Sequence, residues 1–220
     1  VRKGQRRQRR VAGLAVLLAV LTGGGWVLFD DVSRLRADAY FQTGERLFQR
    51  KQWADSAVPL GEAARACPRG AVYWLRLGDA LREKTLPALA EKSPGPVRVA
   101  GTGDLRDLPE RIFPEELRES GLAADLVLAQ DALAKAGQED PYHFLPPLLL
   151  GKLYSPWALT ENDGPRRREL AARAGACFDA GTRLYPAGTQ AWTEWGKLLF
   201  WVEGRTEEAG RMAERALSLR

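Results

Sequence analysis

The sequence predicts an all-α protein, with one apolar helix near its start and a domain of paired helices after it. The chain is rich in alanine, arginine, leucine and glycine and has few strand-forming residues, which favours helices. Its apolar residues recur at the three- and four-residue spacing of a helix face. One uncharged stretch, residues 11–29, is long enough to form a helix by itself.

Residues 11–29, VAGLAVLLAVLTGGGWVLF, contain no charged side chain. As a helix they would extend about 28 Å, close to the thickness of the hydrocarbon part of a bilayer. Residues 1–10 carry six basic residues and no acid, and basic flanks are kept in the cytoplasm. We therefore expect a cytoplasmic tail (1–10), a transmembrane helix (11–29) and an extracytoplasmic domain (30–220). The expected localisation is the bacterial inner membrane, single-pass, with the bulk of the chain in the periplasm.

Two other interpretations of 11–29 are open. A cleaved signal peptide also has a basic start and an apolar core, and the small residues 22–25 resemble a cleavage region. Against this, residues 26–29 resume the apolar run and no A-x-A pattern is present. The third interpretation, a core helix of a soluble protein, does not explain the six flanking cations.

The positive net charge does not predict nucleic-acid binding. The chain has 33 Lys and Arg against 28 Asp and Glu, for a net charge of +5. Six of these basic residues lie in the tail, so the remaining domain is close to neutral. We expect no nucleic-acid partner.

A repeated pattern runs through the domain: an aromatic residue, a glycine four positions later, and a leucine three positions after the glycine. Its copies are Tyr40, Gly44 and Leu47; Trp74, Gly78 and Leu81; and Trp192, Gly196 and Leu199. A weaker copy keeps Gly151 and Tyr154, but Pro147 occupies its aromatic position. A glycine lets two helices of a hairpin approach closely, and small residues are expected opposite it on the second helix. These second-helix positions are Ala57, Ala64, Ala209 and Ala216, and Pro68 is expected to end the first such helix.

The first two copies are thirty-four residues apart, and this period and residue pattern resemble the tetratricopeptide repeat. The resemblance implies a superhelix of stacked helical hairpins with a concave groove and a role in protein–protein binding. The predicted hairpins are 37–68, 70–141, 142–186 and 188–220. The two middle hairpins are predicted to carry insertions at 85–120 and 155–168.

The larger insertion has five prolines, which argues against a long helix there. Its apolar residues must cover the second hairpin or contact a partner. Exposed aromatic residues elsewhere are also favoured at interfaces. The candidate partner contacts are Val97, Val99, Ile112, Phe113, Trp157, Trp195 and Trp201.

No catalytic motif is present. The sequence has no P-loop, H-E-x-x-H, G-x-S-x-G or C-x-x-C, and it has a single histidine. Cys67 and Cys177 either pair or pack as small apolar residues. We expect no catalytic residue, cofactor or metal site.

The predicted function is a membrane-anchored scaffold or accessory subunit of a respiratory, photosynthetic, secretion or envelope-assembly complex. Its expected partners are an integral membrane complex or other envelope proteins, and the lipid bilayer. The alternative is a periplasmic peptide- or glycan-recognition module in cell-envelope biogenesis.

Overall fold

The computed structural model describes residues 31–91, 108–111, 114–162 and 164–220. The predicted tail (1–10) and the predicted transmembrane helix (11–29) lie outside these residues.

Across the described ranges, no helix has both the length and the apolar character needed to cross a bilayer. The predicted localisation, a single-pass protein of the bacterial inner membrane with a periplasmic domain, is wrong on this finding.

The described residues form α-helices and one short 3-10 helix, with no strand among them, which confirms the predicted all-α class for this part of the chain. The helices are α1 (31–49), α2 (Trp53–Ala66), α3 (Ala71–Glu91), α4 (Leu108–Arg111), α5 (Leu122–Glu139), α6 (Leu145–Thr160), α7 (Gly164–Leu184), α8 (Thr189–Trp201) and α9 (Thr206–Ser218). The 3-10 helix, Pro114–Arg118, lies between α4 and α5.

The helices are arranged as four hairpins, α1/α2, α3/α5, α6/α7 and α8/α9, each packed on the one before. We call α1, α3, α6 and α8 the first helices, and α2, α5, α7 and α9 the second helices. Each first helix after α1 packs on the preceding second helix, and α6 contacts both α3 and α8. The hairpins therefore form a serial stack in which each hairpin contacts its neighbours.

The predicted insertions are more helical than expected. Helix α3 continues through Pro87 to residue 91, although the larger insertion was predicted to begin at 85. A proline inside a helix removes one backbone hydrogen bond, but tertiary packing can hold the helix together. Here Leu89 is buried, and the hydroxyl of the buried Thr85 donates to the carbonyl of Arg82 at 2.7 Å. The rest of that insertion is described only at 108–111 and 114–120.

The segment 155–168, predicted as an insertion, consists of the end of α6 and the start of α7, joined by a short connection. Pro156 lies within α6, yet the helix continues because Trp157 and Ala158 are fully buried in the core. Arg166 and Glu161 form an ion pair across the connection, with 3.0 Å between Nε and Oε2.

Candidate protein-binding surfaces

The repeat glycines lie where the two helices of a hairpin cross closely. A Cβ atom added to the first three of these glycines would overlap a side chain of the second helix. The nearest carbon would be Cγ of Leu60 at 2.6 Å from Gly44, Cγ of Leu133 at 2.6 Å from Gly78, and Cε1 of Phe178 at 2.5 Å from Gly151. At Gly196 the fit is looser, since the nearest atoms, the carbonyl oxygen of Ala209 and Cβ of Met212, would be 3.4 Å away.

Most other repeat positions contribute to the core. The buried ones are Ala57, Ala64, Trp74, Leu81, Tyr154, Leu199, Ala209 and Ala216. Tyr40, Leu47 and Trp192 are half-buried, and Pro68 is exposed after the end of α2. These residues therefore position helices and do not themselves form a binding site.

The structure places the candidate partner contacts in different environments. Val97, Val99, Ile112 and Phe113 lie outside the described residues. Trp157 is 0% exposed, so its proposed role as a contact is corrected to that of a core residue. It belongs to the main hydrophobic core, and the guanidinium carbon of Arg166 lies 5.8 Å from the centroid of its ring. Trp195 is half-buried and stacks on Trp192, with 6.0 Å between ring centroids. Trp201 is 65% exposed.

Trp201 borders a groove of about 270 Å³ formed by three successive first helices. Helix α3 contributes Leu86, α6 contributes Pro156 and Leu159, and α8 contributes Trp201. Leu159 is 48% exposed, so two large apolar side chains, Leu159 and Trp201, are open to solvent on one groove. We call this groove the first-helix surface.

Positive charge predominates around the first-helix surface, where Arg82, Lys152 and Lys197 meet one acid, Glu194. Arg82 is buried and bound to Asp79, with 2.8 Å between Nη2 and Oδ1, so it is already neutralised. Lys197 binds Glu194 at 3.0 Å. Among the described residues Lys152 has no ion pair, and its charge is available to a partner.

A second groove, of about 540 Å³, lies between α8 and α9. Gly196, Gly210 and Ala213 are among its lining residues, and Phe200, Trp201 and Leu217 line it with large apolar side chains. We call it the terminal groove. It was not predicted, because the sequence pattern of α9 indicated only which residues face α8.

A buried polar cluster joins α3 to the segment before α5. The ammonium of Lys84 binds both carboxylate oxygens of Asp125, at 3.0 and 3.2 Å, and donates to the carbonyls of Leu117 and Ser120. It is also 3.0 Å from the Ser120 hydroxyl, which donates to Asp125. Burial raises the pKa of Asp125, while its bonds to Ser120 and Lys84 oppose the shift.

A lysine beside a serine can activate the serine hydroxyl as a nucleophile. In this cluster the two residues instead have a structural role, because their bonds hold α3 to the segment before α5. The Lys84 nitrogen donates to Asp125, to two carbonyls and to the Ser120 hydroxyl, and that hydroxyl donates to Asp125 instead of to Lys84. The partners are 33 to 41 positions from Lys84 in sequence, and no short motif could have indicated them.

Within the described ranges, no group of His, Cys, Asp and Glu residues could hold a metal ion. Cys67 and Cys177 are both free thiols.

Neither a protein-family model nor a curated protein matches the sequence. Among the solved structures that match this chain are the following two. A structure reported as "Functional Characterization of Pseudomonas Aeruginosa pilF" has 20% identity and a TM-score of 0.36, covering 87% of this chain and 78% of that chain. A "Crystal structure of MamA protein" has 14% identity and a TM-score of 0.32, covering 84% of this chain and 91% of that chain. At these TM-scores the similarities carry no argument, and the fold assignment rests on the helix packing of this chain.

Proposed function

We propose that this protein is a non-catalytic scaffold, an accessory subunit of a larger protein complex, which binds a protein partner on its first-helix surface. The observation that carries the proposal is the exposed pair Leu159 and Trp201 beside Lys152, on a side of the stack formed by successive first helices. Exposed apolar side chains bordered by polar groups are typical of protein-binding sites.

The shape of the surface supports binding of an extended or helical segment. Leu86, Leu159 and Trp201 come from three different helices, so a bound segment would contact several hairpins at once. Aromatic anchors of this kind often dominate the binding free energy, because they bury a large apolar area at a small cost in conformational entropy.

The charge of the surface favours a partner that carries carboxylates next to its apolar residues. Lys152 has no ion pair in the described part of the chain, and Lys197 is paired only with Glu194 at the exposed rim. Opposite charge at the rim of an interface mainly increases the association rate and the specificity.

The experiment compares partners that co-purify with the tagged 220-residue chain from its native cells. Leu159→Glu and Lys152→Glu alter the first-helix surface, and Leu184→Glu places the same charge on an exposed leucine of α7 as a matched control. We expect one set of proteins, quantified by mass spectrometry, to be lost at least tenfold from both surface variants and kept by the control. An identical set of partners in all three variants would exclude this surface as the binding site.

A further inference from the structure

From α3 to α8, each helix of the hairpin stack runs antiparallel to the next one. The pairs that show this join a late position of one helix to an early position of the next: Lys84 with Asp125, Gly137 with Pro146, Trp157 with Arg166, and Gly181 with Ala191. The two helices of each pair also pack on one another. The first helices α3, α6 and α8 therefore point in the same direction.

Each of these first helices presents one stripe of side chains to the first-helix surface. Each stripe includes a basic residue and, four or seven positions later, a large apolar residue: Arg82 and Leu86 on α3, Lys152 and Leu159 on α6, and Lys197 and Trp201 on α8. Positions with these spacings lie on one face of a helix. The order of charge and apolar character is thus the same on all three helices.

Because the first helices are parallel, the stripes combine into two bands that cross the surface. The apolar band, toward the C-terminal ends of the helices, consists of Leu86, Leu159 and Trp201. The charged band, toward their N-terminal ends, consists of Arg82, Lys152, Glu194 and Lys197. Arg82 is bound to Asp79 and Lys197 is bound to Glu194, so within the described residues Lys152 is the charge of this band that has no ion pair.

The spacing of the first helices determines which conformation of a bound segment can follow the apolar band. Helices in contact lie about 8–10 Å apart, and α6 contacts both α3 and α8. In an α-helix, residues seven positions apart lie on one face and are separated by about 10 Å, so they match this spacing. In an extended segment about three residues cover the same distance, and side chains three positions apart point to opposite sides. A helix can therefore place an apolar side chain at every first helix from one face.

We infer that the segment bound by the first-helix surface is an amphipathic α-helix that lies across α3, α6 and α8. This inference rests on the function proposed above and specifies the binding segment of the partner. Apolar residues at every seventh position would contact the apolar band, and acidic residues along one edge of the same helix would face Lys152. Charge complementarity thus determines which edge of the bound helix lies over the charged band.

A selection of peptides on the purified 220-residue chain tests the inference before the partner is known. The probe is a phage-displayed library of random peptides of about 20 residues, which span about 30 Å as a helix. Surface-dependent peptides are those that bind the wild type and the control Leu184→Glu at least tenfold better than Leu159→Glu. We expect these peptides to share apolar residues seven positions apart and acidic residues along one edge. Circular dichroism establishes that each variant of the chain keeps its helix content.

Synthetic copies of the selected peptides test the conformation and the charge contact. Circular dichroism of the mixture should show a gain of helix on binding. A central proline in the peptide should raise the dissociation constant at least tenfold, because proline interrupts a helix. Replacing the acids of the peptide by lysine should weaken binding to the wild type and restore binding to Lys152→Glu.

Surface-dependent peptides with apolar residues at alternate positions, or with binding that the central proline leaves unchanged, would overturn the inference and leave the binding surface in place. A library that yields no peptide sensitive to Leu159→Glu would count against the first-helix surface itself, and against the inference with it. A photoreactive group at position 159 that crosslinks to residues 92–107 of the same chain would assign the surface to that segment and overturn the inference as well.

Discussion

The indole N–H of Trp74 donates a hydrogen bond to the backbone carbonyl of Pro68, with 2.7 Å between nitrogen and oxygen. The same bond, 2.9 Å long, joins Trp192 to Pro186, also six positions earlier. In both cases the first helix of a hairpin is tied to the end of the preceding second helix. In the third hairpin Pro147 stands six positions after Pro141 and has no side-chain donor, so this connection is missing there.

Replacing the tryptophan that donates each of these bonds should weaken the two helix junctions by different amounts. Trp74 is fully buried, and Trp74→Phe loses both the hydrogen bond and core volume, which should lower the free energy of unfolding by about 2 kcal/mol. Trp192 is half-buried, and Trp192→Phe should cost about 1 kcal/mol or less. Urea denaturation followed by circular dichroism measures both values. Trp201→Phe, at an exposed site, is the control, and an equal loss in all three variants would contradict the assignment.

The repeat glycines should resist even the smallest enlargement. Gly44→Ala and Gly78→Ala place a Cβ 2.6 Å from the branched carbon of a buried leucine, and overpacking of this kind costs about 1–3 kcal/mol. Gly210→Ala adds the same atom where nothing lies within 4 Å and should be neutral or stabilise the helix by up to about 1 kcal/mol. Thermal unfolding gives the comparison. Stabilisation by Gly44→Ala would show that α1 and α2 are not closely packed at this point.

Substitutions at Lys84 and Asp125 should have coupled effects on the free energy of unfolding. Lys84→Met leaves a buried carboxylate without its partner and should lower the free energy of unfolding by about 3 kcal/mol. Adding Asp125→Asn to Lys84→Met should recover part of this loss, because the uncompensated charge is then removed. A double-mutant cycle by urea denaturation measures the coupling, and strictly additive losses would mean that the two groups do not interact.

The same cluster predicts a dependence of stability on pH. Burial raises the pKa of Asp125 in the folded state, so the folded chain holds this proton more tightly than the unfolded chain. Stability should therefore fall as the pH rises from the ordinary aspartate pKa to the raised one. Asp125→Asn should remove that part of the slope. An unchanged slope in unfolding free energy between wild type and Asp125→Asn would assign the dependence to other groups.

Cys177 should be chemically inert. Burial raises the pKa of its thiol to about 11, so at pH 8 only about one molecule in a thousand carries the reactive thiolate. Iodoacetamide labelling with peptide mapping should show slow modification of Cys177 in the native chain and rapid modification in urea. Rapid labelling in the native chain would show that α7 is not packed at this position as described.

The helical class and the repeat glycines could be predicted from the sequence because both depend on local residue patterns. Helical spacing and residue composition predicted an all-α chain, and the structure confirms this class in the described ranges. The glycines of the repeated pattern lie at helix crossings because only a missing side chain permits that distance, and such a constraint is visible in sequence.

The other features depend on tertiary packing and could not be read from local patterns. Pro87 and Pro156 favour helix ends, but burial of Leu89 and Trp157 keeps α3 and α6 helical beyond them. Trp157 and Trp201 look alike in sequence, yet the first is 0% exposed and the second is 65% exposed. The Lys84–Asp125 pair joins two segments whose separation in sequence gives no signal.

The most direct test of the binding proposal is site-specific photo-crosslinking in native cells. A photoreactive phenylalanine analogue at Leu159, on the first-helix surface, is compared with the same group at Leu184, on an exposed part of α7. We predict a discrete crosslinked protein from position 159 that is absent from position 184 and is lost when Lys152→Glu is added. Equal crosslinking from both positions, or a product from position 159 that Lys152→Glu does not reduce, would contradict the account.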